Sequence, residues 1–375
     1  MALSNNRPVK RPLNRILLIV LLAAGIGAVG LSVRDHFDEA LGDQDATTSS
    51  SPVPTVPSAA PVPVEPPQVA QAPQGQGAPD AEEAAEAGGE RESVGHRAGL
   101  HKVKGELALS ASAAMVIDQD TGQVLLHKNG DAVLPIASLT KMMTALVLTE
   151  SKLPMDEIIK ITDDDVDVER HSRSRLKVGT TLSRSQALQL ALMSSENRAA
   201  HALGRTYPAG IVPFVQAMNA KAAALGMKNT KYVDPTGLAT GNQSTAQDLA
   251  LLAATAARNP LLAEYSTTRQ HEVQLANGRT LQFHNSNRLV KNPKWDILLQ
   301  KTGYIVEAGW CMLLDTKIGG HNMLVVLLDA GGASPRVLDA ERIRHWVGAQ
   351  FGVAESQPAL VATHHPARVR RQFKH

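Results

Sequence analysis

Three short stretches carry side chains whose types and spacing suit acyl transfer through a serine. Ser138-Leu139-Thr140-Lys141 sets a hydroxyl and an amine three residues apart, which places them on one face of a helix. A serine hydroxyl attacks a carbonyl only when a neighbouring base takes its proton, and a lysine serves once burial disfavours its charged form. A helix N-terminus also turns backbone N–H groups toward developing negative charge. Ser195-Glu196-Asn197 offers a hydroxyl able to relay a proton and a carboxamide able to hold a peptide carbonyl. Lys301-Thr302-Gly303 combines a cation, a hydroxyl and a residue that permits close backbone approach, a set suited to an anionic substrate group. Each stretch is weak alone. Ser-x-x-Lys arises about once by chance in a chain of ordinary composition, where it reads as an N-cap serine with a solvated lysine; Ser-x-Asn reads equally well as an exposed polar helix break.

The elements around them have their own signals. Ala114–Ile117 and Gln123–His127 read as strands about the Asp120-Thr121-Gly122 turn. Ser138 to Glu150 reads as a helix, so the first motif stands at its start. Ser183 and Gln186 form a capping box ahead of a helical run through Met193. A helix from about Pro213 stops at Gly226. Ser244 and Gln247 repeat the capping pattern before Leu249–Ala257, with Pro260 closing that segment. His271–Leu275 and Arg279–Phe283 flank Asn277-Gly278, a hairpin signal. Ile297–Lys301, Trp310–Asp315 and Met323–Leu328 continue as strands, the last two joined across Gly319-Gly320. Ser334-Pro335 opens a final helix with Leu338, Ile343, Trp346 and Val347 on its apolar face. Strands, a helical middle, strands and a terminal helix predict one α+β unit over residues 107–351, an antiparallel sheet flanked by helices with a helical lobe inserted.

The joint occurrence and order of the three motifs, each on the expected element, resembles penicillin-binding proteins and class A β-lactamases, whose second motif commonly has Asp between Ser and Asn. The chain resembles in particular the penicillin-binding D-alanyl-D-alanine carboxypeptidase and endopeptidase family, over about Leu107 to Phe351. The likeness extends to Pro135-Ile136-Ala137 before Ser138, to Asp234-Pro235-Thr236-Gly237-Leu238, and to Tyr304 followed by Glu307-Ala308-Gly309. Met193–Ala200 and Ala217–Ala222 look most like the endopeptidases. The resemblance implies a serine β-lactamase-like fold, with Ser138 as nucleophile, Lys141 as its base and Ser195 as proton relay. It implies substrate binding by Asn197, Lys301, Thr302 and Gly303, and an oxyanion hole from the backbone N–H groups of Ser138 and Tyr304, a large catalytic contribution. The substrate would be the D-alanyl cross-links of peptidoglycan stem peptides. β-Lactams would acylate Ser138, and no cofactor or metal would be needed. Glu196 and Arg198 depart from the commoner Gly and Asp of the carboxypeptidases, so removal of terminal D-alanine stays open as the alternative. Carboxypeptidases of the family usually add a C-terminal β domain, whereas 24 residues follow Phe351 here.

The rest of the chain bears on placement. Arg7, Lys10, Arg11 and Arg15 precede an uncharged apolar run, Ile16 to Val33, roughly 27 Å long as a helix. Basic residues on its N-terminal side predict export, with residues 1–34 as a membrane anchor or signal peptide and the remainder in the periplasm or cell envelope. Length favours the anchor in the cytoplasmic membrane; Ala28 and Gly30 supply small residues for a cleavage alternative after Gly30. Residues 35–106 read as a disordered spacer: nine of the 21 prolines fall between residues 52 and 79, and such a segment cannot bury enough apolar surface to order itself. Residues 352–375 read as a basic disordered tail. The near balance of 38 Lys and Arg against 36 Asp and Glu argues against a nucleic-acid partner. The lone Cys311 excludes an internal disulfide framework. A class A β-lactamase is disfavoured because Glu-x-x-x-Asn, the pattern of its deacylating glutamate, is absent. A non-catalytic β-lactam sensor is disfavoured because only 15 residues precede Ile16.

Overall fold

Two runs near the C-terminus, Trp310–Leu314 and Met323–Leu328, are almost continuously apolar, as strands covered on both faces must be. They form the middle of the domain. The computed structural model describes residues 93–275 and 278–352. In chain order these form α1 (Val94–Arg97), β1 (Ala113–Asp118), β2 (Val124–Lys128), β3 (Leu134–Pro135), α2 (Thr140–Glu150), β4 (Ile158–Lys160), β5 (Thr181–Ser183), α3 (Arg184–Met193), α4 (Asn197–Arg205), α5 (Ile211–Ala224), β6 (Gln243–Ser244), α6 (Ala246–Ala256), α7 (Pro260–Thr267), β7 (Gln270–Gln274), β8 (Thr280–His284), β9 (Asp296–Ile305), β10 (Gly309–Ile318), β11 (His321–Ala330) and α8 (Ala333–Gln350).

The main sheet has the order β2-β1-β11-β10-β9, every neighbouring pair antiparallel. Side chains alternate across it. Leu313, Leu324, Val326 and Leu328 join one apolar cluster with the helices of the lobe, including Met142, Leu188, Leu203 and Leu249. Met312, Leu314, Val325 and Leu327 join another with Ala340, Ile343 and Val347 of α8. The strand period of two thus splits the core into two layers, with α8 on one side and the helical lobe on the other. In this sheet β9 is an edge strand, which leaves one row of its backbone groups outside the ladder.

Most boundaries follow local chemistry. Ser183 and Gln186 make the reciprocal capping box, Gly226 takes φ 77° beyond α5, and Gly319-Gly320 turns β10 into β11 with φ 61° and 87°. Other expectations need correction. The cap of α6 is Thr245, which accepts from Asp248 N–H, because Ser244 is occupied in β6 opposite Leu134. Pro260 opens α7 behind the Asn259 cap instead of closing a segment; its missing N–H costs nothing in a first turn. Leu338 lies on the exposed side of α8, and Ala340 replaces it in the core. Order also begins before the expected end of the spacer at residue 106. Ser93 and Gly95 are buried, and Val94 N–H donates to Glu307 O at 2.9 Å. A Cβ on Gly95 would come within 2.5 Å of Asp329 Oδ2, so the close fit depends on glycine. The Asn277 turn position, the apolar run Ile16–Val33, the Pro-rich stretch and the basic tail lie outside the described residues. Among the described residues no helix is long and apolar enough to cross a membrane.

Candidate active site

Ser138 sits in a 3-10 turn, Ala137–Leu139, that leads directly into α2. The helix therefore starts two residues later than the sequence pattern suggests, yet Lys141 still follows one turn after the serine. Ala137 takes φ 47°, a left-handed conformation that L-residues rarely adopt. Thr140 Oγ1 donates to Ala137 O at 2.8 Å and helps hold the turn. Lys141 is buried, and its Nζ donates to Ser138 Oγ at 2.8 Å, Asn197 Oδ1 at 2.7 Å and Thr236 O at 2.7 Å. Three hydrogen bonds to neutral oxygens hold the amine against the serine hydroxyl.

The second motif occupies the turn between α3 and α4. Ser195 has φ 60°, and Asn197 is the first residue of α4. The polar break is therefore a built corner: α3 ends, one residue adopts a left-handed conformation, and the carboxamide of Asn197 is aimed at Lys141. Its Nδ2 donates to Ser172 Oγ at 3.0 Å. The structure brings Asn197 to Lys141, the partner of the nucleophile, and Ser195 lies two residues before it in the same turn. Glu196 points the other way and is buried, accepting from Ser174 Oγ. Burial pushes its carboxyl up from the ordinary value, against the opposing pull of Ser174 and of the cations Arg175, Lys141 and Arg198.

The third motif lies on edge strand β9. Lys301, Thr302 and Gly303 pair with Leu313, Met312 and Cys311 of β10, and Tyr304 with Trp310. The last two rings pack at 4.1 Å. Lys301 is fully buried, with Nζ 2.7 Å from Thr302 O. Thr302 Oγ1 lies 2.7 Å from Ser286 Oγ. A Cβ on Gly303 would fall 2.9 Å from Ser138 N and 3.3 Å from Ile136 O. The glycine is what lets the strand edge meet the backbone of the nucleophile turn.

Several residues at the site have no role assigned from the sequence, although Asp234 to Leu238 belong to the family likeness. Thr236 O anchors Lys141. Gly237, at φ 87°, abuts the turn so closely that a Cβ would stand 1.9 Å from Ala137 O. Asp234 builds this corner by accepting from Thr236 N–H at 2.6 Å, Gly237 N–H at 2.8 Å and Ala239 N–H at 3.0 Å. The Asp-Pro-Thr-Gly composition signals a turn, but nothing local says which lysine the turn serves. Ser172 and Ser286 carry no signal of their own.

The comparisons with known proteins agree with this geometry. A family model described as D-alanyl-D-alanine carboxypeptidase matches residues 101–332. A D-alanyl-D-alanine endopeptidase of Pseudomonas aeruginosa is 46% identical over 265 residues, 70% of this chain and 85% of that protein. One of Escherichia coli is 41% identical over 240 residues, 64% of this chain and 77% of that protein. Among solved structures, the penicillin-binding protein D2 of Listeria monocytogenes in its ampicillin-bound form is 30% identical with a TM-score of 0.55, covering 67% of this chain and all of that one. With the serine, the lysine and the strand edge in place and these likenesses beside them, the chain belongs to the D-alanyl-D-alanine carboxypeptidase family of serine peptidases.

Proposed function

We propose that the chain is a D,D-endopeptidase that cuts D-alanyl cross-links between peptidoglycan stem peptides through an acyl-enzyme. One observation carries the chemistry: Lys141 Nζ stands 2.8 Å from Ser138 Oγ and is held there by Asn197 and Thr236. Ser138 Oγ attacks the D-alanyl carbonyl and gives its proton to Lys141. The oxyanion lies between the backbone N–H groups of Ser138 and Tyr304, where fixed donors stabilise developing charge. Collapse breaks the amide, and a proton relayed through Ser195 leaves with the amine. Water then attacks the ester, Lys141 takes its proton, and Ser138 is released with the acid product.

Asn197 Nδ2 holds the acyl-side amide, and the free row of β9 pairs with the substrate backbone. Thr302 and Lys301 take a carboxylate beside the cut bond; in a cross-link the D-centre of the diamino acid supplies one. The relatives at 46% and 41% identity carry endopeptidase names, which favours cross-links over terminal D-alanine. β-Lactams acylate Ser138 as mimics of the same substrate. Residues 1–34 deliver the domain beyond the cytoplasmic membrane, and the Pro-rich spacer carries it toward the wall.

Mass spectrometry of murein and of isolated muropeptides after digestion tests the reading. Dimers fall to monomers while pentapeptide monomers persist, and Ser138→Ala abolishes the change. Rapid release of free D-alanine from pentapeptides with dimers intact makes the protein a carboxypeptidase instead.

A further inference from the structure

The segment between Asp165 and β5 runs beside the site, and three consecutive residues at the α3–α4 corner, Glu196 to Arg198, fasten it. Glu196 accepts from Ser174 Oγ, Asn197 donates to Ser172 Oγ at 3.0 Å, and Arg198 Nη1 donates to Leu176 O at 2.7 Å. At its start Asp167 accepts from the N–H groups of Glu169, Arg170 and Ser172 at 3.1, 2.9 and 2.9 Å. Those bonds hold its carboxyl below the ordinary range although burial opposes this. Arg170 then reaches two other elements. Its Nε donates to Leu238 O at 2.6 Å, next to the Gly237 corner, and its two Nη atoms stand 3.1 Å from the carboxylate of Glu307 in the β9–β10 turn. Residues 167–176 are thus a strap tied to the α3–α4 corner, to the floor beneath Ser138 and to the end of β9.

Charge is concentrated on this strap and its exit. Arg170 to Lys177 reads Arg-His-Ser-Arg-Ser-Arg-Leu-Lys, with no acid in eight residues. Ser172 and Ser174 face the corner, while His171, Arg173 and Lys177 are exposed. Of the acids just upstream, Asp165 is committed to His201 and Arg205 and Asp167 to the N–H groups of the strap, while Asp163, Asp164 and Glu169 are exposed. The position is specific as well. With the leaving-side carboxylate at Thr302 and Lys301 and the reacting carbonyl at Ser138 and Tyr304, the retained acyl peptide runs along β9 toward Ile305 and Glu307. That is the end the strap walls.

We propose that this strap is the acyl-side recognition surface, and that it selects stem peptides whose retained half carries free carboxylates, with Arg173 as the principal contact. The proposal rests on the D,D-peptidase reading above and adds the substrate chemistry on the side the enzyme keeps. Arg170 holds the strap in place; Arg173, one residue from the Ser172–Asn197 hydrogen bond, is exposed to meet the anion.

The test uses the full chain and synthetic cross-linked dimers that differ only in whether the carboxylates of the acyl-side stem are free or converted to carboxamides. Wild type cleaves the free-acid dimer with kcat/KM about tenfold higher, chiefly through KM, the size of one hydrogen bond to a charged group. Arg173→Gln erases the difference, Arg173→Lys restores most of it, and Arg173→Glu turns the preference toward the carboxamide. Equal cleavage of both dimers by wild type, or an equal loss on both in Arg173→Gln, overturns the proposal. Should the enzyme cut no dimers but release D-alanine from monomers, the endopeptidase reading fails. The same comparison on free-acid and amidated pentapeptides then decides the strap, because the acyl side is unchanged.

Discussion

At the end of the sheet that carries Thr302 and Gly303, two lysines, Lys141 and Lys301, are buried beside the nucleophile turn, and their described hydrogen bonds go to neutral oxygens. At the opposite end, around the β10–β11 hairpin, the carboxylates Asp118 and Asp315 are buried. Asp118 accepts from the N–H groups of Asp120 and Thr121 and faces His321 Nδ1 at 3.3 Å. Asp315 accepts from Gln119 Nε2 at 2.8 Å. Burial, opposed by that bond and reinforced by nearby Asp120, pushes the Asp315 carboxyl up to about 6. The two ends put buried charge to different uses. A lysine solvated by neutral acceptors can still exchange a proton or meet an anion. Carboxylates spent on turn N–H groups and an imidazole shape a hairpin and offer nothing to a substrate. Buried charge alone therefore does not mark a site; what marks it is charge held beside a nucleophile.

Substitutions at the two ends should separate along the same line. The largest effect is expected for Lys141→Ala, where labelled-penicillin acylation of Ser138 falls by roughly 10²–10⁴, the range for losing a positioned base. Acylation at the wild-type rate in that variant would remove Lys141 as the base. Gly237→Ala comes next. A methyl group 1.9 Å from Ala137 O must displace the nucleophile turn, and misplacement by about 1 Å costs on the order of 100-fold. If the variant is folded and acylates normally, the close fit between the Gly237 corner and Ser138 is not a catalytic requirement.

Thr302→Val should raise KM for dimers about tenfold and spare kcat, as expected for one hydrogen bond to an anion; a fall in kcat with KM unchanged would move Thr302 from binding to the chemical step. The smallest effect lies at the far end. Because burial pushes the folded Asp315 carboxyl up to about 6 from its ordinary 3.8, ionisation opposes folding increasingly as pH rises from about 4 to 6, and the cost persists above that. Asp315→Asn removes it, worth about 1–3 kcal/mol at pH 8 and little at pH 4. Thermal denaturation at the two pH values reads this directly. An altered acylation rate in Asp315→Asn would break the division between the two ends.

Much of the site was readable because its parts are local. Ser138 and Lys141 are one helical turn apart, and the strand carrying Lys301 to Tyr304 shows its apolar pattern within ten residues. The hairpin at Gly319-Gly320 is equally self-contained. Misreadings arose where two local signals competed. Ser244 and Thr245 are both capping residues, and only pairing of β6 with β3 decides between them. Pro260 breaks a helix or opens one, depending on whether Asn259 caps it. Leu338 belongs to the apolar face of α8 by pattern, yet the sheet lies against Ala340.

By itself the sequence determined the chemistry available: a serine with a lysine one turn on, a carboxamide at a helix corner, and a hydroxyl and cation on a strand. Helical and strand periodicities act over a few residues, so such pairings are written into short stretches. Only the tertiary structure decided that Lys141 would be held by Asn197, 56 residues away, and by Thr236, 95 residues away. It also decided that Ser172 would steady Asn197, and that Gly303 would lie against the backbone of Ser138. Contacts at those separations come from how two core layers close around one sheet. That closure depends on the packing of the whole domain, which no short window of residues contains.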